Sequence, residues 1–146
     1  LIENNGLNEV LYFKNKLRNE RYAQLLFYAI SDIYCKVNNI DVSRESNAGT
    51  GALDFKFSLG YNIKINVELK YSKNSNLVKG YTEQLQRYNQ AEKSHYSIYL
   101  ILNTSIKNTT IKKIEEIRRK TILEGKKTPD LILVDARKKP SASRLK

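Results

Sequence analysis

The chain has one cysteine, one histidine and no methionine among its 146 residues. A single thiol, Cys35, cannot build a disulfide framework, so the composition predicts a reducing, cytoplasmic setting. With a single histidine, His95, a histidine triad, a histidine-metal site or a histidine-nucleophile nuclease cannot easily be built, and His95 reads as structural. No apolar run is long enough to cross a bilayer, and no signal-peptide pattern opens the chain. Internal repeats are missing. Gly49-Thr50-Gly51 leads toward a strand pattern rather than a helix, so it makes no phosphate-cradling loop. A chain that opens on Leu1 and lacks Met reads as a piece of a longer protein.

What is plentiful is positive charge. Lys and Arg number 26 against 15 Asp and Glu, a net charge of +11. Such a field attracts polyanions, and nucleic acid is the partner it predicts. At this length one domain with a real core is expected.

Two alternating runs carry the chemistry. From Leu53, apolar Leu53, Phe55, Phe57 and Leu59 alternate with Asp54, Lys56 and Ser58. From Ile63, apolar Ile63, Ile65, Val67 and Leu69 alternate with Lys64, Asn66, Glu68 and Lys70. Strict period two with β-branched residues predicts two strands. Gly60-Tyr61-Asn62 between them predicts a turn and an antiparallel hairpin. The apolar faces match only if Leu59 pairs with Ile63, Phe57 with Ile65, Phe55 with Val67 and Leu53 with Leu69. That register sets Asp54 across from Glu68. Like charges directly opposite are destabilising unless a cation lies between them. Two converging carboxylates suit Mg²⁺ or Mn²⁺, and Lys70 on the same face could hold a water or stabilise charge on phosphorus. With 10 Glu and 18 Lys in the chain, about one Glu-x-Lys arises by chance, so it is the strand context that separates Glu68-Leu69-Lys70 from Glu124-Gly125-Lys126. The same residues also suit the solvated, ion-paired face of a hairpin, and on the hairpin alone both readings stand.

The order Gly49-Thr50-Gly51-Ala52-Leu53-Asp54-Phe55 followed by Val67-Glu68-Leu69-Lys70-Tyr71-Ser72 resembles the PD-(D/E)XK nuclease superfamily, in its RecB-like branch. Leu53 stands where many members have Pro. The resemblance covers roughly residues 15 to 135 and implies a restriction-endonuclease-like αβββαβ core. It implies that Asp54 and Glu68 hold Mg²⁺ or Mn²⁺ with the Leu69 carbonyl, that Lys70 positions or activates water, and that Glu20 supports the metal from the first helix. Gln84 and Tyr88, four apart on the following helix, match the family's Gln and Tyr, with Gln84 orienting the lysine or a phosphate. Lys73, Lys79, Arg87 and Tyr88 are the expected nucleic-acid contacts.

The remaining pattern fits that order. Residues 8 to 37 predict a helix with Tyr22, Leu25, Leu26, Ala29, Ile30, Ile33 and Val37 on its apolar stripe, ended by Asn38-Asn39. Glu20 sits at the inner edge of that stripe, with Gln24 one turn beyond. Ile40 to Arg44 predicts a short edge strand, and 78 to 93 a second helix. Tyr96 to Leu102 suits a central, doubly covered strand. Residues 106 to 124 predict a third helix and Leu131 to Val134 a last strand. The expectation is one α/β sandwich with a mixed sheet over residues 1–136, and a loose basic tail over 137–146. Its expected function is metal-dependent cleavage of phosphodiesters, in DNA more than RNA, and the alternative is a non-catalytic nucleic-acid-binding module. Ile2-Glu3-Asn4-Asn5 is similar to the tetrapeptide that precedes toxin domains of contact-dependent inhibition proteins. The homes open to the domain are therefore defence, repair or a toxin, and the partners left open are a homodimer and, for a toxin, a cognate immunity protein.

Overall fold

The alternating runs do form a hairpin, in the expected register, at the centre of a mixed sheet. The computed structural model of the protein describes residues 1–44, 54–60, 62–90 and 96–139, with side chains of 87–90 left aside. Leu7–Leu11 is a 3-10 turn. A two-stranded ribbon follows, β1 (Tyr12–Phe13) and β2 (Lys16–Leu17). The helix α1 spans Glu20–Val37 and β3 spans Asp41–Ser43. The hairpin strands are β4 (Phe55–Leu59) and β5 (Ile63–Tyr71). Then come α2 (Leu77–Gln90), β6 (Tyr96–Asn103), α3 (Thr109–Leu123) and β7 (Asp130–Asp135).

The five strands lie in the order β3-β4-β5-β6-β7. β3, β4 and β5 pair antiparallel, whereas β6 runs parallel to both β5 and β7. The fold is therefore α/β with a mixed sheet. The hairpin pairs Leu59 with Ile63, Phe57 with Ile65 and Phe55 with Val67.

Each face of the sheet carries its own core. Phe55, Val67, Leu69, Leu100 and Leu102 pack under α1 with Ala23, Leu26 and Phe27. On the other face Tyr99 and Ile101 pack against Leu77 and Tyr81 of α2 and Ile111 and Ile114 of α3. Two expectations fail here. The expected helix does not run on before Glu20: after the 3-10 turn at Leu7–Leu11, Lys14 and Asn15 take left-handed φ of 45° and 65° and turn the chain into the β1–β2 ribbon. In α1 it is Ala23 and Phe27 that face the sheet, whereas Tyr22, Leu25, Ile33 and Val37 are exposed. That helix is apolar around much of its circumference, so periodicity could not choose the buried side. The C-terminal residues 137–139 are tied down: Arg137 pairs with Asp135 at 2.8 Å, Lys138 meets Asn15 and Lys139 meets the Glu3 carbonyl. The rest of the expected tail, 140–146, lies outside the described residues, as does His95.

Candidate active site

The site begins where β4 begins. In an extended strand alternate residues send their N–H and C=O to the same edge, and the odd-numbered residues of β5 send theirs toward β4. Among the described residues the ladder ends at Phe55 and Val67, and the next two outward N–H groups along β5 find side-chain acceptors. Asp54, the residue just before β4, takes one: its Oδ2 accepts from Leu69 N at 2.8 Å. Glu20, the first residue of α1, takes the other, its Oε2 accepting from Tyr71 N at 2.8 Å. The Leu69 carbonyl lies on this same edge by strand geometry. Asp54 thus caps the strand edge, taking the N–H one residue beyond Glu68, while the register continued from Phe55 and Val67 still sets it across from Glu68.

Lys70 gathers the acids. Its Nζ lies 3.4 Å from Glu68 Oε1, 3.5 Å from Glu20 Oε1 and 3.8 Å from Asp54 Oδ2. Neither Glu68 nor Lys70 faces open solvent as the alternating pattern suggested: their side chains are 6 % and 17 % exposed. The reason is that α2 and α3 cover this face of the sheet as α1 covers the other. Burial pushes the Asp54 carboxyl above its usual range, against the opposing pull of the Lys70 ammonium and the Leu69 N–H. For Lys70, burial works to lower the pKa, but Asp54, Glu68 and Glu20 together raise it. Lys70 therefore keeps its proton at neutral pH.

Two further residues hold this group and a third stands beside it, and their roles were not read from the sequence. Gln24 Nε2 donates to Asp54 Oδ1 at 2.8 Å. It lies four residues after Glu20 on α1, a spacing that puts both on one helix face. Asn74 Nδ2 donates to Glu20 Oε2 at 3.0 Å from the turn after β5, where only a turn-forming residue type marked it. Tyr99 stands beside Glu68 in the β5–β6 register, inside an apolar run that gave no signal of a polar role. Its hydroxyl donates to the Leu77 carbonyl at 2.7 Å. Burial and the neighbouring Glu68 charge push its phenol far up, so it stays neutral.

Gly80 lets α2 approach. A Cβ placed there would lie 2.9 Å from Tyr99 Oη and 3.5 Å from Glu68 Oε1. Tyr99 is fully buried and anchored at its hydroxyl, so it cannot move aside cheaply. Gly80→Ala gains about 1 kcal/mol of helix propensity but overpacks at a cost of about 1–3 kcal/mol. The expected net result is a lower urea midpoint, and an increased midpoint would mean that Tyr99 yields.

The other expected residues are placed as follows. Gln84 is 1 % exposed. It is bonded to β6 rather than to Lys70, its Nε2 donating to the Ile98 carbonyl at 3.1 Å. Its Oε1 has no hydrogen-bond partner among the described residues. Lys73 is exposed on the turn after β5. Lys79 is exposed on α2, 3.8 Å from Glu83. The side chains of Arg87 and Tyr88 lie outside the described residues, as do Gly49 to Leu53.

The donor set suits a hard cation. Three carboxylates converge on one ammonium in a largely buried place, and Mg²⁺ or Mn²⁺ takes oxygen ligands of this kind. Among the described residues no three acidic, histidine or cysteine side chains close into a ready-made cage.

The fold and site define a mixed α/β domain with a lysine-centred acidic cluster at the strand edge. A family described as Domain of unknown function (DUF8371) matches residues 1–106, and the chain belongs to it. All the residues of the cluster fall inside that match. No curated protein and no solved structure matches the chain.

Proposed function

We propose that the protein is a divalent-metal-dependent nuclease of the PD-(D/E)XK type that hydrolyses phosphodiesters, with DNA favoured over RNA. The observation that carries this reading is the Lys70 ammonium within 3.8 Å of Glu20, Asp54 and Glu68, on a chain of net charge +11. A solvated surface pair needs no such convergence under cover of helices. The element order α1, β3, β4, β5, α2, β6 also follows the αβββαβ arrangement that the resemblance implies.

Asp54, Glu68 and the Leu69 carbonyl would hold Mg²⁺ or Mn²⁺, with Glu20 reaching in from α1. When bound, such an ion supplies Lewis acidity toward phosphoryl oxygens and lowers the pKa of a ligated water. Lys70, holding its proton, acts as a fixed positive charge that positions the water and stabilises charge growing on the phosphate. It is not the base. Gln24 and Asn74 keep the carboxylates of Asp54 and Glu20 turned toward the strand edge, so little reorganisation is needed when charge develops.

The direct test is incubation with single- and double-stranded DNA and with RNA, in Mg²⁺, Mn²⁺ or EDTA. Cleavage that requires the metal is expected. Metal-independent cleavage, or tight binding with no cleavage of any substrate, would overturn the reading, the latter in favour of a non-catalytic binding module. The exposed Lys73 and Lys79 are expected to act on binding more than on chemistry. Replacing either with Gln should lower the salt slope of duplex binding by about one unit, and an unchanged slope would remove that residue from the phosphate contacts.

A further inference from the structure

The two edges of the five-stranded sheet are built differently. β3 is three residues long, with exposed Asp41 and Ser43 on either side of Val42. Short polar edges are one way in which sheets avoid pairing with stray strands. β7 has six residues, and its middle four are Leu131-Ile132-Leu133-Val134. No lysine, proline or bulge interrupts it: its pairing with β6 runs unbroken from Ile98 and Asp130 to Asn103 and Asp135. Its outer edge pairs with no strand among the described residues, although at its end Glu3 Oε1 accepts from Asp135 N at 2.7 Å, which leaves Asp130 to Val134 for pairing.

Apolar surface surrounds that stretch. Ile132 and Leu133 are 42 % and 43 % exposed, and Ile122 and Leu123 at the end of α3 are 48 % and 77 % exposed. A hollow flanks β7 on each face of the sheet. Ile132 and Val134 help line one of about 450 Å³ beneath Phe27 and Ile30. Leu131 and Leu133 line the other, of about 380 Å³, with Ile122 and Leu123.

We propose that the outer edge of β7 is the docking surface for a second copy of this chain, which adds its own β7 antiparallel and joins two sheets into one. Charge supports a copy as the occupant. A net charge of +11 makes most approaches of two chains repulsive, but this edge is compensated locally. Asp130 lies 3.6 Å from Arg118 and Asp135 lies 2.8 Å from Arg137, so two such edges meet as nearly neutral strips. Register supports it independently. A two-fold axis normal to the sheet keeps every residue on its own face, so opposed residues must both be odd or both even. Centred on Ile132, that axis sets Ile132 against its own copy and Leu131 against the partner's Leu133. Asp130 then faces the partner's Val134, and no carboxylate opposes another. Centred on Leu133, it would set Leu131 against the partner's Asp135, a poorer match.

Sedimentation velocity on the full chain over a concentration series tests this. A monomer–dimer equilibrium is expected, and it should be lost in Leu133→Lys and Ile132→Lys while Ser43→Lys on the opposite edge leaves it unchanged. Hydrogen exchange on the unmodified chain gives a second readout that does not depend on the variants folding. The β7 amides that do not bond to β6 should exchange more slowly at high protein concentration than at low. A chain that remains monomeric at its highest soluble concentration, a dimer indifferent to both lysine substitutions, or β7 exchange independent of concentration would each overturn the proposal. None of these measurements depends on nuclease activity.

Discussion

In protein carrying Lys70→Met, cleavage of DNA in Mn²⁺ is expected to fall by about 10²–10³-fold, the loss typical of removing one electrostatic stabiliser from a preorganised site. The same substitution should destabilise the fold. It keeps the aliphatic stem but leaves Glu20, Asp54 and Glu68 facing one another without their shared ammonium. Breaking a buried ion pair from one side costs about 3–5 kcal/mol, and the partial exposure of Lys70 places the expected loss at the lower end. The two effects separate on adding metal. A cation that occupies the cluster replaces the lost charge, so Mn²⁺ should raise the melting temperature of Lys70→Met by more than that of the unmodified protein. The pH dependence has a definite direction. The folded pKa of Lys70 is raised, so its stabilising contribution is fully present below the ordinary lysine value near 10.4 and disappears as pH rises through the folded value. The stability gap between the two proteins should therefore be flat from neutral pH to about 9 and close in stronger alkali. Cleavage at the unmodified rate would remove Lys70 from the chemistry, and an identical Mn²⁺ response in both proteins would argue against a cation in the cluster.

The second large effect is structural but reaches the site. Phe55 is fully buried at the first position of β4, with its ring 4.8 Å from that of Phe27 on α1. Phe55→Ala removes this contact and leaves a cavity, at a cost of about 3–5 kcal/mol, a large share of the stability of a domain this size. Because Asp54 precedes Phe55 directly and takes its position from it, Mn²⁺ affinity should fall in whatever folded fraction remains. Phe55→Leu, which keeps an apolar side chain in place, should cost less than about 1.5 kcal/mol. Urea unfolding and calorimetry with Mn²⁺ measure both quantities. A loss below about 1 kcal/mol for the alanine variant would mean that the α1 side of the core is not organised around this pair.

The hairpin register was legible because its period of two leaves one solution: a single-residue slip would have turned every apolar side chain of one strand outward. Element order followed from the same logic, and α2, β6 and α3 lie within a few residues of where their patterns place them. What could not be read was which surfaces other elements would cover. The polar side of β5 looked solvated because its alternation is that of a half-exposed strand, yet Glu68 is 4 % exposed under α2. The outward turn of Tyr22 and Leu25 was hidden because α1 offers two apolar sides to a pattern that can name only one. Side-chain bonds across distant segments, such as Gln24 to Asp54 and Asn74 to Glu20, have no local signature beyond residue type, since they depend on where α1 meets the end of β5.

The shortness of β4 has a practical consequence for preparing an inactive form of the protein. Asp54 and Glu20 each supply the acceptor for a β5 backbone N–H that pairs with no strand among the described residues, so alanine at either position strands a buried donor as well as removing a charge, and a lost signal would mix two causes. Asn and Gln keep a carbonyl oxygen in that place. Asp54→Asn and Glu20→Gln are therefore the forms suited to trapping an uncut oligonucleotide.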